Sequence, residues 1–216
     1  MIKKFLFLFV ISASILGISK AQNAAYSAWT TQELQQANTG ANCSFLSDVE
    51  KEIILLMNLA RLDGVKFRES FAKGYLGDKM SSNISSLYSD LENVKNRPML
   101  HLDANLCKAA SYHAVEMGNS GNTGHKSLDG TEFYKRMENF GYPFDGPVAE
   151  NCSYGYGDAI GIVMQLLVDE NVSSLGHRKN ILSPEYKAVG ISLCPHKNYS
   201  FNCVQDFGSR VVAPVE

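Results

Sequence analysis

The residues best suited by type and spacing to do chemistry are two histidines and a few carboxylates. His125 stands in Thr123-Gly124-His125, and His177 in Leu175-Gly176-His177. A glycine before each histidine permits tight backbone geometry that can aim the imidazole into a cleft. Glu150 stands in Ala149-Glu150-Asn151-Cys152, and Asp169-Glu170 precede His177. If these places converge, two imidazoles can hold a divalent cation through nitrogen, while the carboxylates orient the rings or bind a ligated water. The same groups can do general acid–base work, with one carboxyl raised in pKa. They can also satisfy one another and stiffen the loops. His101 and His196 sit beside turn residues without obvious partners. His113 falls on the apolar side of a helix, the pattern of a satisfied core histidine. Ser127 has no nucleophile-elbow signature around it.

Helices and strands must bring these places together. Ser47-Asp48-Val49-Glu50 fits a capping box, and Ile53, Ile54, Met57 and Ala60 follow it at helical spacing. This helix runs to about Leu62 and resumes through Phe67–Phe71. A partly helical stretch is expected around Ser85 to Val94. Asp103 caps a second helix with Leu106, Ala109, Ala110, His113, Ala114 and Met117 on one side. A Gly, Asn and Ser-rich loop, Gly118 to Gly130, then carries His125. A third helix covers Glu132 to Asn139. The stretch from Gly146 to Gly157 reads as non-helical. Asp158 caps a fourth helix, and a short helical turn follows Leu175. Ala188 to Leu193 and Phe201 to Phe207 read as strands joined by the Pro195–Ser200 turn. Helices first and strands late indicate an α+β domain with helices covering an antiparallel sheet.

The chain has 216 residues, 45% of them apolar and 19% charged, with a formal charge of −2. These values exclude a disordered chain, a collagen and a coiled coil. They also offer no basic excess for a nucleic-acid backbone. Met1 to Ala21 read as a secretory signal peptide: Lys3 and Lys4 precede an apolar run, and Ser19 and Ala21 are small residues around a cleavage site. Without these residues the mature chain has 17 basic and 22 acidic residues and a charge of −5. It contains no stretch suited to a transmembrane segment. Export places Cys43, Cys107, Cys152, Cys194 and Cys203 in an oxidising compartment, extracellular, periplasmic or at the cell surface. The count is odd. Cys194 and Cys203 flank the turn, which predicts a local disulfide closing the hairpin. Residues 22–43 carry no strong period and read as loosely held.

Four stretches, in order, make the chain resemble a secreted CAP-domain protein, the superfamily also called SCP. They are Ile54 to Arg61; Leu106 to Met117 followed by Gly124-His125; Ala149-Glu150-Asn151; and Gly176-His177-Arg178-Lys179-Asn180-Ile181-Leu182. The last is close to the bacterial GHRxNIL form. The resemblance implies a three-layer α/β/α sandwich with a central, mainly antiparallel sheet. The expected division is a signal peptide at 1–21, an N-terminal extension at 22–46 and a CAP domain at 47–210. It also implies a cleft tetrad of His125, Glu150, Asp169 and His177, with Glu170 as the substitute for Asp169. In some family members the two histidines hold zinc or another divalent cation. A Trp is common in the family where this chain has Leu166. The function implied is a secreted binding module taking a lipid, peptide or glycan. The alternatives are a metal-assisted or acid–base hydrolase, in which Glu150 activates water, and a structural extracellular protein.

Overall fold

The computed structural model describes residues 20–215, with side chains from residue 24. The leader expected at 1–21 lies outside the described residues except for its last two positions. Two short helices open the chain: α1 at Lys20–Ser27 and α2 at Thr31–Ala37. The segment before Cys43 is therefore not loosely held. Thr30 and Glu33 form a capping box at the start of α2. Trp29, Ala37 and Cys43 are buried in the main apolar core. Local polar pairing starts the helix, and a few apolar residues anchor it. A sequence period cannot register so short an amphipathic piece.

Helix α3, Asp48–Leu62, carries the expected capping box of Ser47 and Glu50. Glu50 Oε1 also accepts from the backbone of Leu193 at 2.8 Å, so the cap ties the helix to a strand. α4 (Gly64–Phe67), a π-helical turn (Arg68–Ala72) and α5 (Lys73–Leu76) continue it almost without a break. α6 spans Ser82–Glu92, α7 Ala104–Ser120 and α8 Phe133–Asn139. α9 spans Ala159–Val168 and α10 Gly176–Leu182.

The sheet has four strands, β1 (His101–Leu102), β2 (Val148–Tyr154), β3 (Ala188–His196) and β4 (Ser200–Gly208). Their order is β1-β3-β4-β2. β1 runs parallel to β3, and the other two pairings are antiparallel. β2 was not legible as a strand, because Val-Ala-Glu-Asn-Cys-Ser-Tyr lacks the apolar alternation of a half-buried strand. It is an edge strand inside the stretch that the sequence marks only as non-helical.

The strand period assigns the two faces. Ala149, Val189, Ile191, Cys203 and Phe207 join α3 and α9 in the larger core. Cys152, Val204 and Ala188 face α7 through Ala110, Ala114, Leu106 and Ala109. Helices thus cover both sheet faces, as expected for the α/β/α sandwich. Gly190 permits the closest approach of α7: a Cβ there would lie 2.1 Å from the Leu106 carbonyl carbon.

The hairpin disulfide is a correction. All five cysteines are free thiols. In the β3–β4 register Cys203 opposes Leu193 and Cys194 opposes Asn202. A single-step offset turns the two side chains to opposite sheet faces. Cys203 enters the α3 side and Cys194 the α7 side.

Candidate functional site

The free edge of β2 organises the site. Glu150 points to the α7 face, and Asn151 to the opposite one. On the first side, the loop after α7 brings His125 over Glu150. His125 Nδ1 and Glu150 Oε1 are 2.9 Å apart. On the other side, α9 ends at Asp169, which takes up a left-handed conformation with φ of 56°. Asp169 Oδ1 meets His177 Nδ1 at 2.6 Å, and its Oδ2 accepts from the His177 backbone at 2.9 Å. One carboxylate therefore caps the start of α10 and orients the first imidazole on it.

The two dyads face each other past the strand edge. The rings of His125 and His177 have centroids 6.4 Å apart. Their side chains are 48% and 23% exposed, whereas Glu150 and Asp169 are sealed beneath them. In each dyad the carboxylate engages Nδ1 and leaves Nε2 as the second ring nitrogen. The four residues of the expected tetrad thus converge. Glu170 does not share the role of Asp169: its carboxylate accepts from Ser81 at 3.1 Å, at the rim of the cleft. His101 is exposed on β1. His196 is buried, with Nε2 donating to Asn122 O at 2.8 Å, and it steadies the β3–β4 turn.

Glu150 is held from both sides. Its Oε2 accepts from Arg136, which also bonds His125 O and Ser127 Oγ. Burial pushes the Glu150 carboxyl up, but the hydrogen bond with His125 and the Arg136 charge outweigh it and hold the group below the usual range. Ser127 serves Arg136 as an acceptor and meets no histidine. Asp206 lies opposite Glu150 in the β2–β4 register and is fully buried. No donor faces either of its oxygens. Burial, then the charge of Glu150, raise its pKa well above the carboxylate range. Sequence reading missed both Arg136 and Asp206; a lone charged residue in a helix or a strand looks like a solvated one.

Asn151 and Arg178 lock the frame. Asn151 Nδ2 donates to His177 O at 3.2 Å, and its Oδ1 accepts from Asn180 at 2.9 Å. Arg178 is buried and bonds Leu167 O, Val168 O, Asn83 O, Ser86 Oγ and Asp90. It fastens α10 to α9 and α6. A cleft of about 430 Å³ opens beside His177 and Asp169. Tyr75, Tyr156, Leu166 and Val172 contribute to its walls, and it reaches Cys152. His113 Nε2, a Glu150 oxygen and Cys152 Sγ also gather, all within 4.8 Å of one another.

A sandwich whose edge strand is flanked by two histidine–carboxylate dyads defines the class of the protein. The family model for CAP, the cysteine-rich secretory protein family, matches residues 62–207, and the chain belongs to that family. Among solved structures it is similar to an extracellular protein containing an SCP domain from Bacillus anthracis, with 18% identity and a TM-score of 0.48. That match covers 84% of this chain and 44% of the Bacillus chain. An outer surface protein of Borrelia burgdorferi shares 21% identity over 61% of this chain and 96% of its own, with a TM-score of 0.43. A cysteine-rich secretory protein of Staphylococcus aureus shares 14% over 76% of this chain and 40% of its own, with a TM-score of 0.44. No curated protein matches the chain. Among the described residues no helix is long and apolar enough to cross a membrane.

Proposed function

We propose that this is an exported binding module, freed of residues 1–21, whose cleft holds a divalent cation between His125 and His177. One observation carries the reading: both imidazoles are engaged at Nδ1 by a buried carboxylate, which leaves each Nε2 as the nitrogen available to a cation. That is the carboxylate–histidine–metal arrangement, in which the acid fixes the tautomer and strengthens the ligand. An ion about 2.1 Å from each nitrogen at a tetrahedral angle puts the ring centroids about 5.3 Å apart, so the two rings, now 6.4 Å apart, close by about 1 Å to share it. The bound cation supplies a Lewis-acidic anchor for an oxygen-bearing group. The neighbouring walls, with Leu166, Val172, Tyr75 and Tyr156, suit an apolar body attached to that group. Lipids, peptides and glycans with such a head are the candidate ligands.

Glu150 acts here as an orienting group rather than a base. Its side chain is shut off from solvent, and both oxygens are engaged. That leaves it poorly placed to activate water, so the geometry does not favour the hydrolase alternative. The test is zinc binding by the mature chain, read by isothermal titration. The expected result is one weak site that disappears when His125 and His177 are both replaced by Ala. Unchanged zinc uptake in the double variant overturns the reading. Organic extraction of protein recovered from its native medium then identifies a co-purifying lipid.

A further inference from the structure

We propose that Cys152, His113 and Glu150 form a second, buried cation site, suited to a thiophilic ion such as Zn²⁺, lying inward of the two cleft histidines. The three potential ligand atoms lie within 4.8 Å of one another. Edges in a tetrahedral zinc site with bonds of about 2.1–2.3 Å are roughly 3.5 Å, so closing this set needs about 1 Å of side-chain movement. His113 is fully buried, and Glu150 and Cys152 nearly so. The mixture of imidazole, carboxylate and thiol is a donor set that zinc accepts and that hard cations such as Mg²⁺ do not seek.

A further feature points to a ligand, the crowded Gly124 carbonyl. His113 Nε2 lies 2.9 Å from it, Cys152 Sγ 3.5 Å and the Tyr154 hydroxyl 3.4 Å. A carbonyl has two lone pairs, so three donors oversubscribe it, and the thiol makes the longest contact. Binding converts the Cys152 thiol to a metal thiolate, and the thiol proton leaves to solvent. The cleft reaches Cys152 and gives the ion a way in. His113 trades its hydrogen bond to Gly124 for the metal, Glu116 keeps its hold on Nδ1 at 2.8 Å, and Glu150 ligates through the second lone pair of Oε1, which lies 3.6 Å from Cys152 Sγ and keeps its bond with His125.

Cobalt is the probe that separates this site from the cleft. Co²⁺ bound by histidine alone gives no thiolate charge-transfer absorption; Co²⁺ bound through Cys152 does. The mature chain is expected to show that near-ultraviolet band. His177→Ala should retain it, and Cys152→Ser should lose it while Cys194→Ser keeps it. Loss of binding in His177→Ala with no thiolate band in any form overturns the buried site and leaves the cleft reading standing. A band that survives Cys152→Ser also overturns it. Should Cys152→Ser fail to fold, X-ray absorption on the zinc-loaded unsubstituted chain decides. One sulfur at about 2.3 Å supports the site, and a first shell of nitrogen and oxygen only, or no zinc uptake, refutes it.

Discussion

Asn180 donates to Asn151 at 2.9 Å, joining the GHRKNIL helix to the edge strand that carries Glu150. Asn151 also reaches the His177 carbonyl and Gln205, and it is fully buried. The two dyads therefore share one hydrogen-bonded frame. Each can be oriented by its own carboxylate, but their separation is set by this asparagine pair. Replacing Asn151 by Ala removes three partners at once and leaves the Gln205 and Asn180 amides without them. A loss of about 2 kcal/mol is expected, which lowers the melting temperature by roughly 4–8 °C in a domain of this size. Thermal denaturation measures it; a shift under one degree would mean that the frame is held elsewhere.

The role of Asp169 gives a sharper expectation for ligand binding. It accepts from both the backbone and the ring of His177. Asp169→Asn keeps the size and one acceptor oxygen but loses the charge. The expected effect is a zinc affinity about tenfold weaker, with little change in secondary structure. Titration calorimetry and circular dichroism on the same samples separate the two effects. Equal zinc affinity in the variant would remove Asp169 from the site.

Much of this arrangement was legible from residue order. The GHRKNIL string placed His177 and its helix, and the glycine before His125 marked a loop residue. One capping box, the N-caps Asp103 and Asp158, and apolar spacing gave α3, α7 and α9. What escaped depended on contacts distant in sequence. β2 has Glu150, Asn151 and Ser153 in its middle because those side chains meet Arg136, Asn180 and Gln165. Polar pairing replaced the apolar alternation that marks a strand. Asp206 and Arg136 carry no local motif either. Cys194 and Cys203 were near in sequence and flanked a turn, yet the hairpin register, which no spacing rule fixes, separated them by one step.

Packing of α7 on the sheet yields a test with its own control. An added methyl at Gly190 would meet the backbone of Leu106 and Cys107 at 2.1–2.4 Å, and neither can yield as a flexible side chain would. Gly190→Ala is expected to cost at least about 3 kcal/mol or to prevent folding. Gly74, within α5, has open space around its Cβ position. Gly74→Ala should be neutral or stabilising by about 0.5–1 kcal/mol. Urea denaturation of the pair checks this, and equal midpoints would contradict the close helix–sheet contact.

The N-terminal extension offers a pH-dependent readout. Glu33 closes the capping box of α2 and accepts from Lys66 at 2.7 Å. The Lys66 ammonium lies 4.7 Å from the centre of the Trp29 ring. The hydrogen bond from Lys66, followed by the Thr30 backbone, lowers the Glu33 pKa from 4.5 to about 2. A carboxyl depressed in the folded state stabilises it fully above the unfolded value. That contribution fades as pH falls from about 4.5 towards 2, as Glu33 takes up its proton. The pair is partly exposed, so the contribution is about 1 kcal/mol or less and shrinks further in high salt. Trp29 is the sole tryptophan of the chain, which makes its fluorescence a reporter of this corner. Acidification through that window is expected to change its emission as the extension loosens. Glu33→Gln should show the altered emission already at neutral pH and a flat response through the same range. If the variant titrates like the unsubstituted chain, a different carboxylate governs the release of the extension.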